Sequence, residues 1–211
     1  MKHYPVYLNL NDRTVLVVGA GAVALQKIQG LLETGARIRV VAPEALPEIE
    51  ALAREGKIEW QRHPYQSSDM DEARLVIAAT DDQELQPRIA AEARARGLWV
   101  NVVDVPALCD FIAPAIVNKG EIQIAISTGG ASPAMAKFIR QKLDAYLGEE
   151  YQELVALIQR YRPDILKLSK DRRQTVWEYI VSQRFLDEIK QEGSQNAEAR
   201  LKEWIHGKSA V

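Results

Sequence analysis

The glycine-rich stretch at residues 19–24 restricts the fold more than any other feature of the sequence. It reads Gly-Ala-Gly-Ala-Val-Ala and joins an apolar run, residues 14–18, to a stretch with helical periodicity. Between a strand and a helix, Gly19 permits a tight turn, Gly21 lets backbone N–H groups approach a pyrophosphate, and Ala24 allows close helix–strand packing. The positive end of the helix dipole favours phosphate there. The pattern predicts a dinucleotide-binding loop, with a purely structural turn as the alternative.

The alternation of apolar runs and helical patterns continues to residue 113 and indicates a parallel sheet built from βαβ units. The expected strands are 14–18, 37–41, 58–62, 75–79 and 98–103, and the expected helices are 23–33, 46–55 and 83–96. Periodicity places Val23 on the apolar face of the first helix, together with Ile28, Leu31 and Leu32. The run 75–79 carries no charged residue, so we expect a central strand there.

The pattern changes after residue 113. Residues 114–118 and 121–127 indicate two strands joined by a tight turn, and such a hairpin is not stable alone. A helix with Ser132 as its N-cap follows to residue 147. The predicted fold class is α/β. A Rossmann-like domain spans 1–113, a small α+β hairpin and helix span 114–147, and a C-terminal helical bundle spans 148–211, with a polar tail from residue 193 that we expect to fray.

Charge and cysteine content exclude several classes of function. The 27 basic and 29 acidic side chains give a formal net charge of -2, which offers no general attraction to nucleic acid or to an anionic membrane. Cys109 is the single cysteine, so an internal disulfide or a cysteine-based metal cluster is excluded. The three histidines are scattered along the chain, and we expect no bound metal. With neither a signal peptide nor a membrane span expected, the predicted location is the cytoplasm.

The second predicted strand bears on the choice of cofactor. It ends before Pro43, and the first carboxylate after it is Glu44, so the usual acidic partner of the adenosine ribose is missing and the choice between NAD and NADP stays open. Arg37 and Arg39 alternate on that strand. We expect both to face solvent, and contact with a 2′-phosphate is the alternative.

Polar residues also follow the next two strands. Thr80 comes at the carboxyl end of one strand and is expected beside the cofactor, while Asp81 and Asp82 either join it or cap the following helix. Asn101 and Asp104 lie at the end of the other strand, at the same expected ligand edge. Asp104 is the candidate catalytic carboxylate, expected in a cleft that removes it from water, with simple strand termination as the alternative.

A second candidate site is the loop 127–133, Ser-Thr-Gly-Gly-Ala-Ser-Pro, which offers hydroxyls, backbone donors and a helix N-terminus. Its predicted substrate-binding residues are Ser127, Thr128, Gly129, Gly130 and Ser132. Lys137 and Arg140 on the following helix, with Lys119 in the preceding turn, add a basic rim suited to carboxylates. A glycine-bearing connector beside a solvated helix face is the alternative.

Taken together, these residues resemble the precorrin-2 dehydrogenase/sirohydrochlorin ferrochelatase family of siroheme synthesis. The blocks that carry the resemblance are residues 4–7, 17–24, 78–82, 101–104, 109–111 and 126–133, which occur in the family's order and spacing. The resemblance extends to about residue 147 and is weaker in the helical C-terminal region.

The resemblance implies oxidation of precorrin-2 to sirohydrochlorin with NAD, and in some members insertion of ferrous iron as a second substrate. It gives Asp104 the central role and places NAD near Ala22, Val23, Pro43 and Glu44. It also implies a homodimer in which residues 114–147 exchange contacts. Two rival functions remain: an oxidoreductase of the same fold with an unrelated small substrate, and a non-enzymatic NAD-sensing module.

Overall fold

The computed structural model describes residues 3–206 and divides the chain into two units, Met1–Ala113 and Pro114–Val211. The first unit holds a five-stranded parallel sheet in the order β3-β2-β1-β4-β5, which confirms the α/β, Rossmann-like prediction. Its strands are β1 (Thr14–Val18), β2 (Arg37–Val41), β3 (Glu59–Gln61), β4 (Ala73–Ala78) and β5 (Trp99–Val102), and its helices are α1 (Ala22–Leu32), α2 (Pro47–Arg54) and α3 (Leu85–Ala95).

Both faces of this sheet are buried because successive strand side chains point to opposite sides. Val15 and Val17 of β1 pack under α1 and α2, whereas Leu16 and Val18 pack on the α3 side. All five residues of β1 are buried. β4 pairs with β1 on one side and β5 on the other, which confirms the prediction of a central strand there. The prediction for Val23 was wrong: its side chain is 41% exposed, because the core-facing side of α1 is formed by Ala24, Ile28 and Leu31.

The second unit contains an antiparallel hairpin and five helices among its described residues. These elements are β6 (Ala115–Lys119), β7 (Ile122–Ile126), α4 (Pro133–Tyr146), α5 (Glu149–Leu166), α6 (Lys170–Ile180), α7 (Gln183–Glu192) and α8 (Ser194–His206). The hairpin packs on α4 through a small apolar cluster that includes Val117 and Ile126. The predicted N-cap is confirmed, since the Ser132 hydroxyl accepts a hydrogen bond from the Met135 N–H at 3.1 Å.

The expectation of a frayed tail was wrong for residues 194–206. Ala197, Leu201 and Ile205 recur every fourth residue, which puts them on one face of α8, where they are buried in the bundle core. The rest of the predicted tail, 207–211, lies outside the described residues. The boundary between hairpin region and bundle at residues 147 and 148 stays a prediction. None of the helices between residues 3 and 206 has the length and apolarity needed to cross a membrane.

Candidate cofactor and substrate site

The carboxyl ends of the four longest parallel strands meet at one edge. In the strand register Val18 lies beside Val41 and Ala78, and Ala78 lies beside Val102. The segments that follow these strands therefore all begin at the same edge of the sheet. Neighbouring strands are about 4.8 Å apart, so the loop after β1 and the turn after β5 are separated by about 10 Å along this edge.

Gly19 is required by the close approach of its loop to the end of β4. Its φ of +103° lies in a region that L-residues rarely adopt. A Cβ at this position would overlap the Ala79 carbonyl oxygen and lie 2.7 Å from its carbon. Hydrogen bonds hold the loop on both sides, from Gly19 N to Val41 O at 2.9 Å and from Ala79 N to Val18 O at 2.8 Å. The loop is thus fixed between β2 and β4.

Gly21 has a different role, because its surroundings are open. A Cβ there would meet no atom within 4 Å, and its φ of -87° suits any residue. Gly21 is the N-cap of α1, and no side chain caps this helix. Ala22 and Val23, also predicted to bind the cofactor, are exposed in the first turn. An exposed first turn without a side-chain cap presents backbone N–H groups to a phosphate, and the missing Cβ leaves space for one to approach.

The segment after β2 lies beside this loop. Leu46 N donates a hydrogen bond to Ala20 O at 3.1 Å, which ties the segment to the glycine-rich turn. Pro43 and Glu44 are both exposed there. The prediction that Arg39 faces solvent was wrong, because its side chain is only 17% exposed and its guanidinium donates to two backbone carbonyls in the segment 69–71. Arg39 is therefore held away from the carboxyl edge.

Arg37 is exposed, as predicted, and one guanidinium nitrogen donates to Asp12 O at 3.2 Å. It is the first residue of β2 and lies at the opposite edge of the sheet from the glycine-rich loop. Neither arginine of β2 is therefore available to a 2′-phosphate at the carboxyl edge.

Thr80 is half-buried at the end of β4, where its carbonyl accepts a hydrogen bond from the Gln86 amide at 2.7 Å. Asp82 caps the first turn of the next helix, since one carboxylate oxygen accepts from the N–H groups of Glu84 and Leu85, each at 3.0 Å. The capping alternative is confirmed for Asp82. Asp81 is exposed.

The turn after β5 carries the candidate catalytic carboxylate in a strained conformation. Asp104 has a φ of +61°, which is uncommon for a residue other than glycine and is often found at functional sites. The side chain is exposed, so the expectation of a carboxylate already removed from water was wrong.

Asn101 reaches the same region but uses its amide internally. The residue is 9% exposed, and its amide donates to Phe111 O at 2.9 Å. This bond attaches the segment 109–111 to β5, the edge strand of the sheet. Binding of the cofactor by Asn101 stays a prediction.

Sequence reasoning assigned no role to Cys109 and Asp110. The Asp110 carboxylate accepts from Val100 N at 3.2 Å and pairs with Arg94 at 2.9 Å. Cys109 Sγ lies 3.1 Å from Val102 O and 3.4 Å from Val105 O. The signal available in the sequence was their position a few residues after Asp104.

In the second unit, the loop 127–132 is organised by its own hydroxyls. Thr128 Oγ1 donates to Ser132 O and accepts from Ser132 N, both at 3.0 Å, and Ser127 Oγ accepts from Gly129 N at 3.1 Å. Gly129 and Gly130 adopt φ values of +64° and +87°, and a Cβ on either would meet open space. The glycines serve the turn and leave its outer side accessible.

The predicted basic rim is smaller than expected. Lys119 pairs with Asp144 at 3.2 Å, which offsets its charge. Lys137 is exposed on the first turns of α4, and Arg140 is half-buried one turn further along. Between residues 3 and 206 no group of three or more His, Cys, Asp or Glu side chains is arranged to hold a metal ion.

Comparisons with known proteins agree with this description. A family described as "Putative NAD(P)-binding" matches residues 6–115, and one described as "Sirohaem biosynthesis protein central" matches residues 119–146. Among solved structures, "SirC, precorrin-2 dehydrogenase" matches with a TM-score of 0.75 and 28% identity, over 95% of this chain and 100% of that one.

Two curated relatives carry the name siroheme synthase. The protein from Pseudomonas entomophila (strain L48) is 46% identical over 182 residues, which cover 85% of this chain and 39% of the relative. The protein from Ectopseudomonas mendocina (strain ymp) is 41% identical over 207 residues, which cover 95% of this chain and 44% of the relative. The chain therefore spans about two fifths of the length of these relatives.

Proposed function

We propose, from the premise that the chain belongs to the siroheme synthase family, that it is a dehydrogenase that oxidises precorrin-2 to sirohydrochlorin with NAD. One observation carries the proposal: an uncapped helix N-terminus after β1 and a strained carboxylate after β5 occur at one edge of the sheet. The helix N-terminus suits the pyrophosphate of a dinucleotide, and the carboxylate suits removal of a proton.

The residues present fit a nicotinamide dinucleotide. The open space at Gly21 and the exposed first turn of α1 would receive the pyrophosphate. After β2, the exposed carboxylate of Glu44 favours NAD, because it can accept from a ribose hydroxyl and would repel a 2′-phosphate. Arg39 cannot balance that repulsion, since its guanidinium is bound to backbone carbonyls.

The oxidation removes a hydride and a proton from the macrocycle. When bound, the nicotinamide ring supplies the hydride acceptor. Asp104 receives the proton, because its turn presents an exposed carboxylate about two strand spacings from the glycine-rich loop. The large, flat substrate itself shields this carboxylate from water once it lies over the turn.

The loop 127–132 and Lys137 are proposed to hold the peripheral carboxylates of the tetrapyrrole. Accessible backbone at Gly129 and Gly130 and an exposed ammonium at Lys137 provide donors for anionic groups. Hydroxyls that already accept a hydrogen bond, such as that of Ser127, still have a proton to donate.

A homodimer is part of the proposal. On the hairpin face away from its packed side Ile116 is 53% exposed, and on α4 Met135 and Phe138 are 51% and 54% exposed. Exposed apolar surface of this kind is typical of an interface. A native mass near twice 23.7 kDa, lowered to the monomer value by Ile116→Asp, is the expected result, and a dilution-stable monomer would refute the dimer.

The direct test supplies the purified chain with precorrin-2 and NAD and follows sirohydrochlorin by absorbance. Wild type should turn over, and Asp104→Asn should lose at least 100-fold in kcat while its affinity for NADH stays within twofold. Asparagine keeps the size and tolerates the positive φ, so a folding defect is avoided. Turnover by Asp104→Asn at the wild-type rate would remove this carboxylate from the chemistry.

Iron insertion and cellular location are two further parts of the proposal. Addition of Fe²⁺ after the oxidation tests ferrous iron as a second substrate, with formation of siroheme as the readout. We also propose that the reaction occurs in the cytoplasm, since the free thiol of Cys109 suits a reducing compartment.

A further inference from the structure

We infer that Cys109 is a positioning residue that holds the Asp104 turn in the geometry needed for proton transfer. The inference rests on the proposed dehydrogenase function. It concerns a residue that does not touch the substrate and acts through the backbone on either side of the carboxylate.

The Cys109 thiol contacts the backbone on both sides of the Asp104 turn. Cys109 Sγ lies 3.1 Å from Val102 O, on one side of Asp104, and 3.4 Å from Val105 O, on the other. It also accepts from Val102 N at 3.3 Å. A thiol has one weak donor and a weak acceptor, so it can bond to the last residue of β5 and share its proton with either carbonyl. Burial raises the pKa of the Cys109 thiol, which keeps the proton available.

The sulfur is also held in place by hydrogen bonds between its own segment and the sheet. The segment 109–111 runs along the free edge of β5, with Asp110 N donating to Val100 O at 2.8 Å and Val100 N donating to the Asp110 carboxylate at 3.2 Å. The Asn101 amide holds the other end of the segment at Phe111 O. Cys109 is thus anchored to the sheet and can act as a fixed point for the turn.

The turn needs such a fixed point because its conformation is unfavourable. A φ of +61° places Asp104 in the left-handed region, which is uncommon for residues other than glycine. Val103 packs against the core on the α1 side of the sheet and Val105 against the core on the α3 side, so the carboxylate is carried across the end of β5. Val105 N also donates to Val102 O at 3.2 Å, so the sulfur and this bond hold the turn together. Without the contacts of the sulfur, the half-buried valines would stay packed but Asp104 between them could relax and move its carboxylate.

The test compares Cys109→Ser, which keeps a donor, with Cys109→Ala and Cys109→Val, which have none. Leu108→Ala is the control, because Leu108 packs on the same core without a side-chain polar group. Each variant is measured for kcat and KM with precorrin-2, for the dissociation constant of NADH by fluorescence, and for its melting temperature.

Both apolar variants should lose at least tenfold in kcat, with KM and NADH affinity within twofold, and Cys109→Ser should stay within threefold of wild type. Leu108→Ala should lower the melting temperature and leave kcat unchanged. If Cys109→Ala is too unstable, Cys109→Val, which restores bulk, must show the same loss. Wild-type kcat in the apolar variants, or a serine variant as impaired as they are, overturns the inference. Absence of turnover in wild type instead refutes the proposed function, and the inference with it.

Discussion

Replacement of Gly19 by alanine is expected to destabilise the first unit strongly, because two independent costs add at this position. A φ of +103° costs an L-residue about 1–2 kcal/mol. The added methyl would lie 2.7 Å from the carbonyl carbon of Ala79 and 3.1 Å from Thr80 N, and such overpacking against backbone costs about 1–3 kcal/mol. The expected loss is about 2–5 kcal/mol, a large part of the stability of an ordinary domain.

Two other glycines of the same region provide matched comparisons. At Gly21 a methyl meets no protein atom within 4 Å, so Gly21→Ala should lose no more than about 1 kcal/mol, the cost of alanine at an N-cap. It should bind NAD at least tenfold more weakly, because the methyl occupies the approach to the pyrophosphate. Gly30 is exposed within α1, and Gly30→Ala should stabilise the fold by about 0.5–1 kcal/mol without effect on the cofactor.

The assay is urea unfolding followed by far-UV circular dichroism, together with an NADH titration on each folded variant. The expected order of stability is Gly30→Ala above wild type and Gly21→Ala, with Gly19→Ala lowest. A Gly19→Ala variant with wild-type stability would refute the close-approach argument. A Gly21→Ala variant that unfolds as easily as Gly19→Ala would refute the description of Gly21 as a position with open surroundings.

Three further predictions concern contacts away from the proposed chemistry. Arg39→Ala should lose about 1–3 kcal/mol in urea unfolding, because two carbonyls of the segment 69–71 lose a charged donor. The preference between NAD and NADP should stay the same, and a changed preference would contradict the structural role of Arg39. Hydrogen bonds from Tyr65 and Ser67 lower the pKa of Glu92 to about 2. The contribution of these bonds to the stability of the fold is therefore complete above pH 4.5, where the carboxylate is ionised in both states, and it is lost as the pH falls towards 2. The difference in melting temperature between wild type and Tyr65→Phe should therefore be largest above pH 4.5 and shrink below it, and a difference independent of pH would disprove this. Leu201→Ala, at a fully buried position of α8, should cost about 2–5 kcal/mol in urea unfolding, whereas a cost near zero would fit the frayed tail that composition suggested.

The fold of the first unit could be predicted because its signals are local. Apolar runs of five or six residues, helices between them and glycines at the turns occur in the right order, and the strands differ from expectation by only a few residues. In α8 the local signal was present too, as Ala197, Leu201 and Ile205 have helical spacing. The polar residues around these three and the preceding glycine suggested a frayed tail instead. The apolar face of α8 is narrow, and it becomes part of the core only through packing against the other helices.

The site was harder to predict because its decisive contacts join distant residues. The need for glycine at position 19 comes from the carbonyl of Ala79, sixty residues later in the chain, and no sequence pattern displays that contact. The exposure of Asp104 likewise depends on which elements pass over β5. The contacts of Cys109 with Val102 and Val105 could not be derived from its position alone, because a single cysteine in a loop has many ordinary explanations.

The crossing of the sheet end by Val103 and Val105 also restricts insertions and deletions. Val103 and Val105 are two residues apart and would face the same side in an extended chain, so their packing on opposite faces depends on the turn at Asp104. One residue more or fewer in that turn would disturb the packing of at least one of them. The Asp104 carboxylate would then change its position as well. Changes in length should be tolerated only beyond this short span, which makes the spacing as restrictive for evolution or engineering as the aspartate itself.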